Sequence, residues 1–449
     1  MFKKPPLVLE NPFQALWDVK ENALQYFEYH SIVDREGKYL HYDQFRRRIP
    51  KSVDPTLAWS VVKAARKQQQ SIPVLLGDMD EACLFVATPA ILRAISLCDQ
   101  KTTTAALTYM TSQIGEGKQI EYLMNDLINE EAISSSQLEG SATTTKVAKN
   151  LLQTERKGKD EGEKMIIGNY RMMECAWRNR HQPLTAQLML ELHQVGVEGI
   201  DDEHYHPGTL RNSDNIEIRD GEGNIVHQPP AAAGLKRRLA KIIEWVNEDH
   251  TNTNDTGYIH PMVKAIIIHF IIGYEHPFHD GNGRVARALF YWFLFREGFS
   301  AFRYIAVSTL LKAAPKQYGM SYVYTETDEM DLTYFVDYQC QIITRAIRLF
   351  LQNFDDALKA IRDFEQFLFN SGKYRELTAN QRMVFNVAKS QPGTQFTAKG
   401  VMTNLGCSYN TAAAVLNGLV KNKLFKKRKE GKGWVYFMED PAVIQKAWV

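Results

Sequence analysis

The chain has 449 residues, 44% hydrophobic and 24% charged, with a net charge of +2. That balance suits a protein with sizeable buried cores, long enough for two or three domains, and argues against a fully disordered or fibrous chain. Five scattered cysteines (Cys83, Cys98, Cys175, Cys340, Cys407) with no CxxC spacing exclude a disulfide scaffold and a cysteine zinc site, and they read as reduced thiols of the cytoplasm. The start, MFKKPPLVLENPF, has no apolar core for a signal peptide. The apolar run Ala265–Ile272 is broken by His269 and falls far short of the ~18 residues of a membrane span.

In chain order, apolar residues recur at helical spacing over Leu57–Gln68, Met124–Gln137, Glu163–Trp177 and Thr185–Val195. Asn215–Arg219 and Ile225–Gln228 flank the glycine-rich turn Asp220–Asn224, which predicts a hairpin, and Pro229-Pro230 ends it. Helices follow over Leu235–Glu248, Pro261–Tyr274, Val285–Arg296, about Leu332–Phe350 and about Gln352–Phe369. Ser371–Glu376 is the last joint before a small basic domain. Residues 377–449 carry 11 Lys/Arg against 3 Asp/Glu, whereas the preceding 376 residues carry 43 against 49. Helices Asn380–Lys389, Thr397–Leu405 and Ser408–Asn422, two of them opened by the N-cap residues Thr397 and Ser408, precede two strands around a basic glycine turn, Leu424–Phe437. This order resembles a winged helix-turn-helix. The resemblance implies that Tyr409, Asn410 and Thr411 lie where a third helix enters the DNA major groove, with the wing on phosphates. Docking of protein is the competing use of such a module.

The most informative segment is His276-Pro-Phe-His-Asp-Gly-Asn-Gly-Arg-Val-Ala-Arg287, a polar loop between two apolar helices. Packing alone would not require such polarity there. Gly281-Asn282-Gly283 lets successive N–H groups converge at a helix start, a nest for phosphate. Arg284 and Arg287, three apart, share a helix face and suit further phosphate oxygens. Asp280 is a hard oxygen ligand for Mg²⁺, His276 a proton acceptor for an incoming hydroxyl, and Phe278 the buried anchor of the loop.

At these residues the sequence resembles the Fic family, whose motif HxFx(D/E)GNGRxxR is matched at every defined position by His276, Phe278, Asp280, Gly281, Asn282, Gly283, Arg284 and Arg287. The resemblance implies a mainly α fold and transfer of AMP from ATP to a Ser, Thr or Tyr hydroxyl of a target protein, the chain itself included. It implies His276 as general base, Asp280 as Mg²⁺ ligand, and Asn282, Arg284 and Arg287 as phosphate binders. Pro207-Gly-Thr-Leu-Arg211 resembles the family's lead-in to a hairpin flap, here about 215–228, that holds the target as an added strand. Ser135 to Gly140 fits the family's inhibitory pattern (S/T)xxxE(G/N), implying that Glu139 pairs with Arg287. In some relatives that glutamate also serves removal of AMP. Tyr318 and Tyr322 fall where relatives line the adenine pocket, although Tyr318-Gly319 departs from the family's Tyr-Tyr pair.

The organisation expected is a helical N-terminal extension over 1–110 and a Fic core over 111–350, which includes an inhibitory helix at about 124–139. A helical linker over 351–376 and a winged helix-turn-helix over 377–449 complete it. Partners open to such a chain are a hydroxyl-bearing target protein, duplex DNA through 377–449 and a second copy of the chain. Two other functions compete: a DNA-binding regulator that uses the body as a nucleotide sensor, and a metal phosphohydrolase of the HD type built on His269, His276, His279 and Asp280.

Overall fold

A proline and a histidine start the helix around which the site is built. His260 accepts the N–H of Met262 at 3.1 Å and Pro261 occupies the first turn, where its missing N–H costs nothing. From Met262 to Ile272 every side chain of the helix Pro261–Glu275 is buried. It is therefore a central rod buried on all sides, not a surface helix with one wet face. Its antiparallel neighbour is the helix Asn282–Arg296, buried almost throughout. The computed structural model describes residues 2–19, 23–112, 129–200, 206–219, 223, 225–251, 257–371, 376–390, 393–430, 433–439, 443–444 and 447.

The chain divides into two units, and helices dominate both. The first comprises residues 1–100, 171–299 and 310–345. Around its central pair it places the helices Ala186–Val197, Leu235–Asn247 and Pro315–Thr327. Leu16, Tyr26, Tyr42, Phe45, Trp59 and Val61 form a core of their own nearer the N-terminus. Polar contacts join that region to residues 328–334: Tyr39 donates to Asp331 at 2.6 Å, Lys63 to Asp328 at 3.1 Å and Arg66 to the Tyr334 hydroxyl at 2.7 Å. The N-terminal region is not purely helical. Strands Ser71–Leu76 and Glu81–Phe85 pair antiparallel, with Val74 opposite Cys83. Asp78 and Asp80 in their turn receive Arg238 at 2.8 Å and Lys241 at 2.6 Å.

The flap hairpin is shorter than its sequence suggests: Ile218–Arg219 pairs with Ile225–His227, and most of its turn lies outside the described residues.

The second unit comprises residues 101–170, 300–309 and 346–449. Ile133, Ala148, Leu151 and Ile166 form one small core in it. Of the helix expected over Met124–Gln137, residues 124–128 lie outside the described residues and 129–138 are helical. One helix, Thr333–Ser371, replaces the two expected either side of Leu351. No glycine or proline interrupts those 39 residues, so nothing ends the first helix before the second begins. Near the C-terminus the helices Ala379–Ser390, Ala398–Leu405 and Tyr409–Lys421 follow in the order expected. Thr397 accepts the Gly400 N–H at 3.0 Å and Ser408 the Thr411 N–H at 3.2 Å, so both N-caps form. Strands Phe425–Glu430 and Gly433–Met438 pair antiparallel, and the short strand Gln395–Phe396 adds to the free side of the latter.

Candidate active site

The loop between the two central helices is closed by its own side chains. Asn282 accepts the Phe278 N–H with Oδ1 and donates Nδ2 to the Phe278 carbonyl, each at 2.9 Å. Both ends of its amide thus shape the loop, which leaves its backbone N–H as the group it offers to an anion. Phe278 is fully buried and stacks on the His193 ring at 3.8 Å between centroids and 8° between planes. Gly208 N–H donates to His193 Nδ1 at 3.1 Å, so the proton of this ring sits on Nε2, which donates to the Asp280 carbonyl at 3.1 Å. Burial pushes the His193 pKa down to about 4, which keeps the ring neutral.

His276 ends the first helix with φ 46° and ψ 59°, in the left-handed region. Its Nδ1 lies 3.3 Å from the Gly273 carbonyl, an acceptor only. Nδ1 therefore carries the ring proton, and Nε2 is the basic nitrogen of the imidazole. Gly281 is the N-cap of the second helix with φ 77°, and as a glycine it offers that helix no side-chain cap. A Cβ at Gly281 would stand 3.2 Å from the Val197 side chain and 3.5 Å from the His193 ring. The Asp280 carboxylate, half-exposed, accepts the Gly281 N–H. This helix starts at Asn282, three residues earlier than its apolar pattern suggests, so Gly283 and Arg284 belong to its first turn.

Arg284 is fully buried and donates Nη1 to the Gly196 carbonyl at 3.0 Å. Arg287, 3% exposed, lies close enough to His269 to help hold that ring neutral, after burial, with a pKa of about 3. His269 Nε2 is 2.7 Å from the Tyr318 hydroxyl. Tyr318, Tyr322, Phe270 and Phe335 form one aromatic group beside it. This corrects the phosphohydrolase reading. His269 is sealed in the core against a tyrosine, the His279 ring faces His206 at 4.9 Å, and no three His, Cys, Asp or Glu among the described residues come together as metal ligands.

Ser135, Glu139 and Gly140 sit at the end of the helix 129–138. Ser135 is buried and Glu139 half-buried. Ser141 N–H bonds the Ser136 carbonyl at 3.0 Å and Gly140 N–H the Gln137 carbonyl at 3.2 Å, with Gly140 at φ 98°. That is a Schellman ending, which requires glycine at this position and fixes the backbone of Glu139. No helix among the described residues is long and apolar enough to cross a membrane.

Three residues that shape the loop were not singled out as site residues from the sequence: His193, His227 and Arg238. Each lies in an ordinary amphipathic or alternating pattern, with no motif to mark it.

Residues 183–294 match the model of the Fic/DOC family. The chain is 26% identical over 215 residues to protein adenylyltransferase Fic of Drosophila virilis, across 46% of this chain and 40% of that protein. It is 31% identical over 116 residues to protein adenylyltransferase fic-1 of Caenorhabditis briggsae, across 25% of this chain and 22% of that one. The matched segments thus span less than half the length of either relative. Among solved structures, a Fic family protein from Desulfovibrio desulfuricans G20 aligns with a TM-score of 0.47 at 18% identity, over 78% of this chain and 96% of that one. Residues 183–294, which hold the whole loop from His276 to Arg287, are a Fic domain.

Proposed function

We propose that this chain is a protein adenylyltransferase that moves AMP from ATP to a Ser, Thr or Tyr hydroxyl of a target protein and of itself. The observation that carries the reading is the loop itself: a histidine whose Nε2 is basic stands beside a helix N-terminus whose N-cap residue, Gly281, has no side chain to cap it. In the step proposed, the hydroxyl oxygen attacks the α-phosphorus of ATP, the bond to the β-phosphate oxygen breaks and pyrophosphate leaves. The hydroxyl proton passes to His276 Nε2. Backbone N–H groups of Gly281, Asn282 and Gly283, with Arg284 and Arg287, receive the phosphate oxygens. A lone, half-exposed carboxylate such as Asp280 fits Mg²⁺, which binds by one or two carboxylates together with substrate phosphates. When bound there, the ion would neutralise phosphate charge. Tyr318 borders the nucleobase, and the hairpin pairs with an extended segment of the target.

Glu139, fixed at its helix end, acts in this reading as an inhibitory carboxylate toward Arg287 and also serves removal of AMP. Five free cysteines suit a reducing compartment such as the cytoplasm. The experiment is incubation of the full chain with α-labelled ATP and Mg²⁺, with mass spectrometry of the product. His276→Ala should lower labelling by about 10² or more, and Glu139→Gly should raise it. Undiminished labelling by His276→Ala overturns the base assignment.

A second reading, compatible with the first, is duplex DNA binding through 377–449. It is favoured by the exposed helix face Asn410, Ala414, Asn417 and Lys421 beside the basic strand Phe425–Glu430. A second copy of the chain is the other partner this module would suit.

A further inference from the structure

Arg211 is buried, and its guanidinium holds together two parts of the site that the sequence separates. Nε donates to the His276 carbonyl at 2.8 Å and Nη2 to the Glu275 carbonyl at 3.2 Å. The same fork reaches both outer ends of the hairpin: Nη1 donates to the Ser213 carbonyl at 3.2 Å, and Nη2 also to the Pro230 carbonyl. Its backbone N–H adds a bond to the Pro277 carbonyl at 2.9 Å. On the returning strand His227 faces the Tyr274 carbonyl with Nε2 at 2.8 Å and the Glu326 carboxylate with Nδ1 at 2.7 Å. Asp214 Oδ1 accepts the Ala232 N–H at 2.6 Å and so ties the two flanks of the hairpin to each other.

The last carbonyls of a helix have no partners within it. Here the successive carbonyls of Tyr274, Glu275 and His276 are all met from the hairpin side, the first by His227 on its returning strand and the other two by Arg211 just before it. His276 caps the helix in a left-handed backbone conformation that is strained for a non-glycine residue and persists only where its surroundings over-determine it. Arg211 supplies much of that determination, because its rigid fork fixes the His276 peptide plane from the carbonyl side.

We infer that Arg211, with His227 as its counterpart on the returning strand, is a positioning residue that makes the hairpin and the His276 loop one mechanical piece. An acceptor strand seated on the hairpin is thereby registered against the imidazole. This rests on the reading of His276 as the base and of the hairpin as the acceptor platform.

The test uses the full chain with Arg211→Ala, Arg211→Lys and His227→Gln, each also in a Glu139→Gly background. Two readouts are taken. The first is self-labelling with α-labelled ATP, set beside ATP affinity by calorimetry. Arg211→Ala should lose about 30-fold or more in labelling rate at saturating ATP while ATP affinity changes less than about threefold. Millimolar guanidinium should restore part of the rate. Arg211→Lys should lose most of the rate too, since a point charge does not replace the fork, and His227→Gln, which keeps a donor for Tyr274, should lose little.

The second readout needs no turnover: modification of histidines by diethyl pyrocarbonate, located by mass spectrometry. Arg211→Ala should raise the rate at His276 while His193, packed under Phe278, stays protected. Unchanged labelling with unchanged His276 reactivity overturns the inference. So does a parallel rise at His193, which would make Arg211 a general prop of the fold. His276→Ala separates the two levels: if it labels like the wild type, the base assignment fails, whereas the His276 reactivity in Arg211→Ala still judges the inference on its own.

Discussion

His193 shows how a residue outside the motif sets the motif's shape. Its ring is clamped between the Gly208 N–H and the Asp280 carbonyl and carries Phe278 on its face. That arrangement needs a neutral ring, because a protonated Nδ1 could not accept from Gly208. An ordinary histidine value near 6.5 in the unfolded chain and about 4 in the folded one mean that the unfolded state binds the extra proton as pH falls. The cost is absent above 6.5, grows as pH drops below it, and is complete below about 4, where it amounts to about 3 kcal/mol. Thermal melting followed from pH 7 to 4 should therefore fall less steeply for His193→Gln than for the wild type; parallel curves would show that this ring does not titrate on unfolding. Gly281 gives a second residue-scale expectation. With φ at 77° and the Val197 and His193 side chains close to any Cβ, Gly281→Ala should destabilise by about 1–3 kcal/mol. It should also weaken ATP binding by shifting the first turn of the helix, both measurable by denaturant titration and calorimetry.

At the level of elements, the central helix is anchored at its C-terminal end, beside the loop, by charge. Glu275 is fully buried and receives Arg238 Nε at 2.8 Å, while Arg238 also holds Asp78 in the turn of the Ser71–Phe85 hairpin. Burial pushes the Glu275 pKa up and the Arg238 hydrogen bond opposes it, so the carboxylate depends on its partner. Arg238→Met should cost about 3–5 kcal/mol by stranding that carboxylate, and Arg238→Met with Glu275→Gln should recover part of the loss. Equal stabilities of the single and double variants by chemical denaturation would show that the pair is not coupled. The same elements show what a sequence displays and what it hides. The central helices were legible because long apolar stretches bounded by His260-Pro261 and by the glycine loop have no other use, and the loop was legible because its polarity there is unexplained by packing. The Ser71–Phe85 hairpin was not: Ile72–Leu76 is a short continuous apolar run with a proline inside it, which periodicity cannot separate from a helix fragment. Its presence depends on tertiary partners, the Arg238 and Lys241 side chains and Trp245, which donates to the Pro73 carbonyl at 2.8 Å. Arg211 ends the Pro207–Arg211 lead-in, but its fork of carbonyl partners comes from stretches that only the folded chain assembles.

For the whole molecule, charge separates a mildly acidic body from a basic C-terminal segment, and the detail of that segment shows which cations are already satisfied. Lys426 pairs with Glu439, and Arg428 with Glu430, so half of the Lys426–Lys429 run is neutralised locally. Lys427 instead lies 4.9 Å from the Trp434 ring centroid and 2.9 Å from Asn417 Oδ1, which the Tyr436 hydroxyl also approaches at 3.2 Å. Because an ammonium only donates, that Asn417 atom must be the oxygen, so the amide nitrogen is the end of Asn417 left to donate outward from the exposed helix face. Lys429, opposite Trp434 in the ladder, extends the same face. A duplex seated there would meet phosphates with the wing and base edges with the Asn410 amide, which suits adenine, and with the Asn417 amide N–H, which suits a base-edge acceptor. The full chain should then bind a 20-base-pair duplex (a probe length of about two helical turns) with an affinity that falls steeply with salt. Replacing Lys427 and Lys429 together by alanine should flatten the log–log slope by about 2, near 0.9 for each phosphate that is no longer neutralised. Asn417→Ala should leave that slope unchanged but relax the preference among sequences. Absence of binding at low salt, or a slope indifferent to both lysines, would leave protein docking as the use of this face, because only a polyanion makes affinity depend on counterion release in this way.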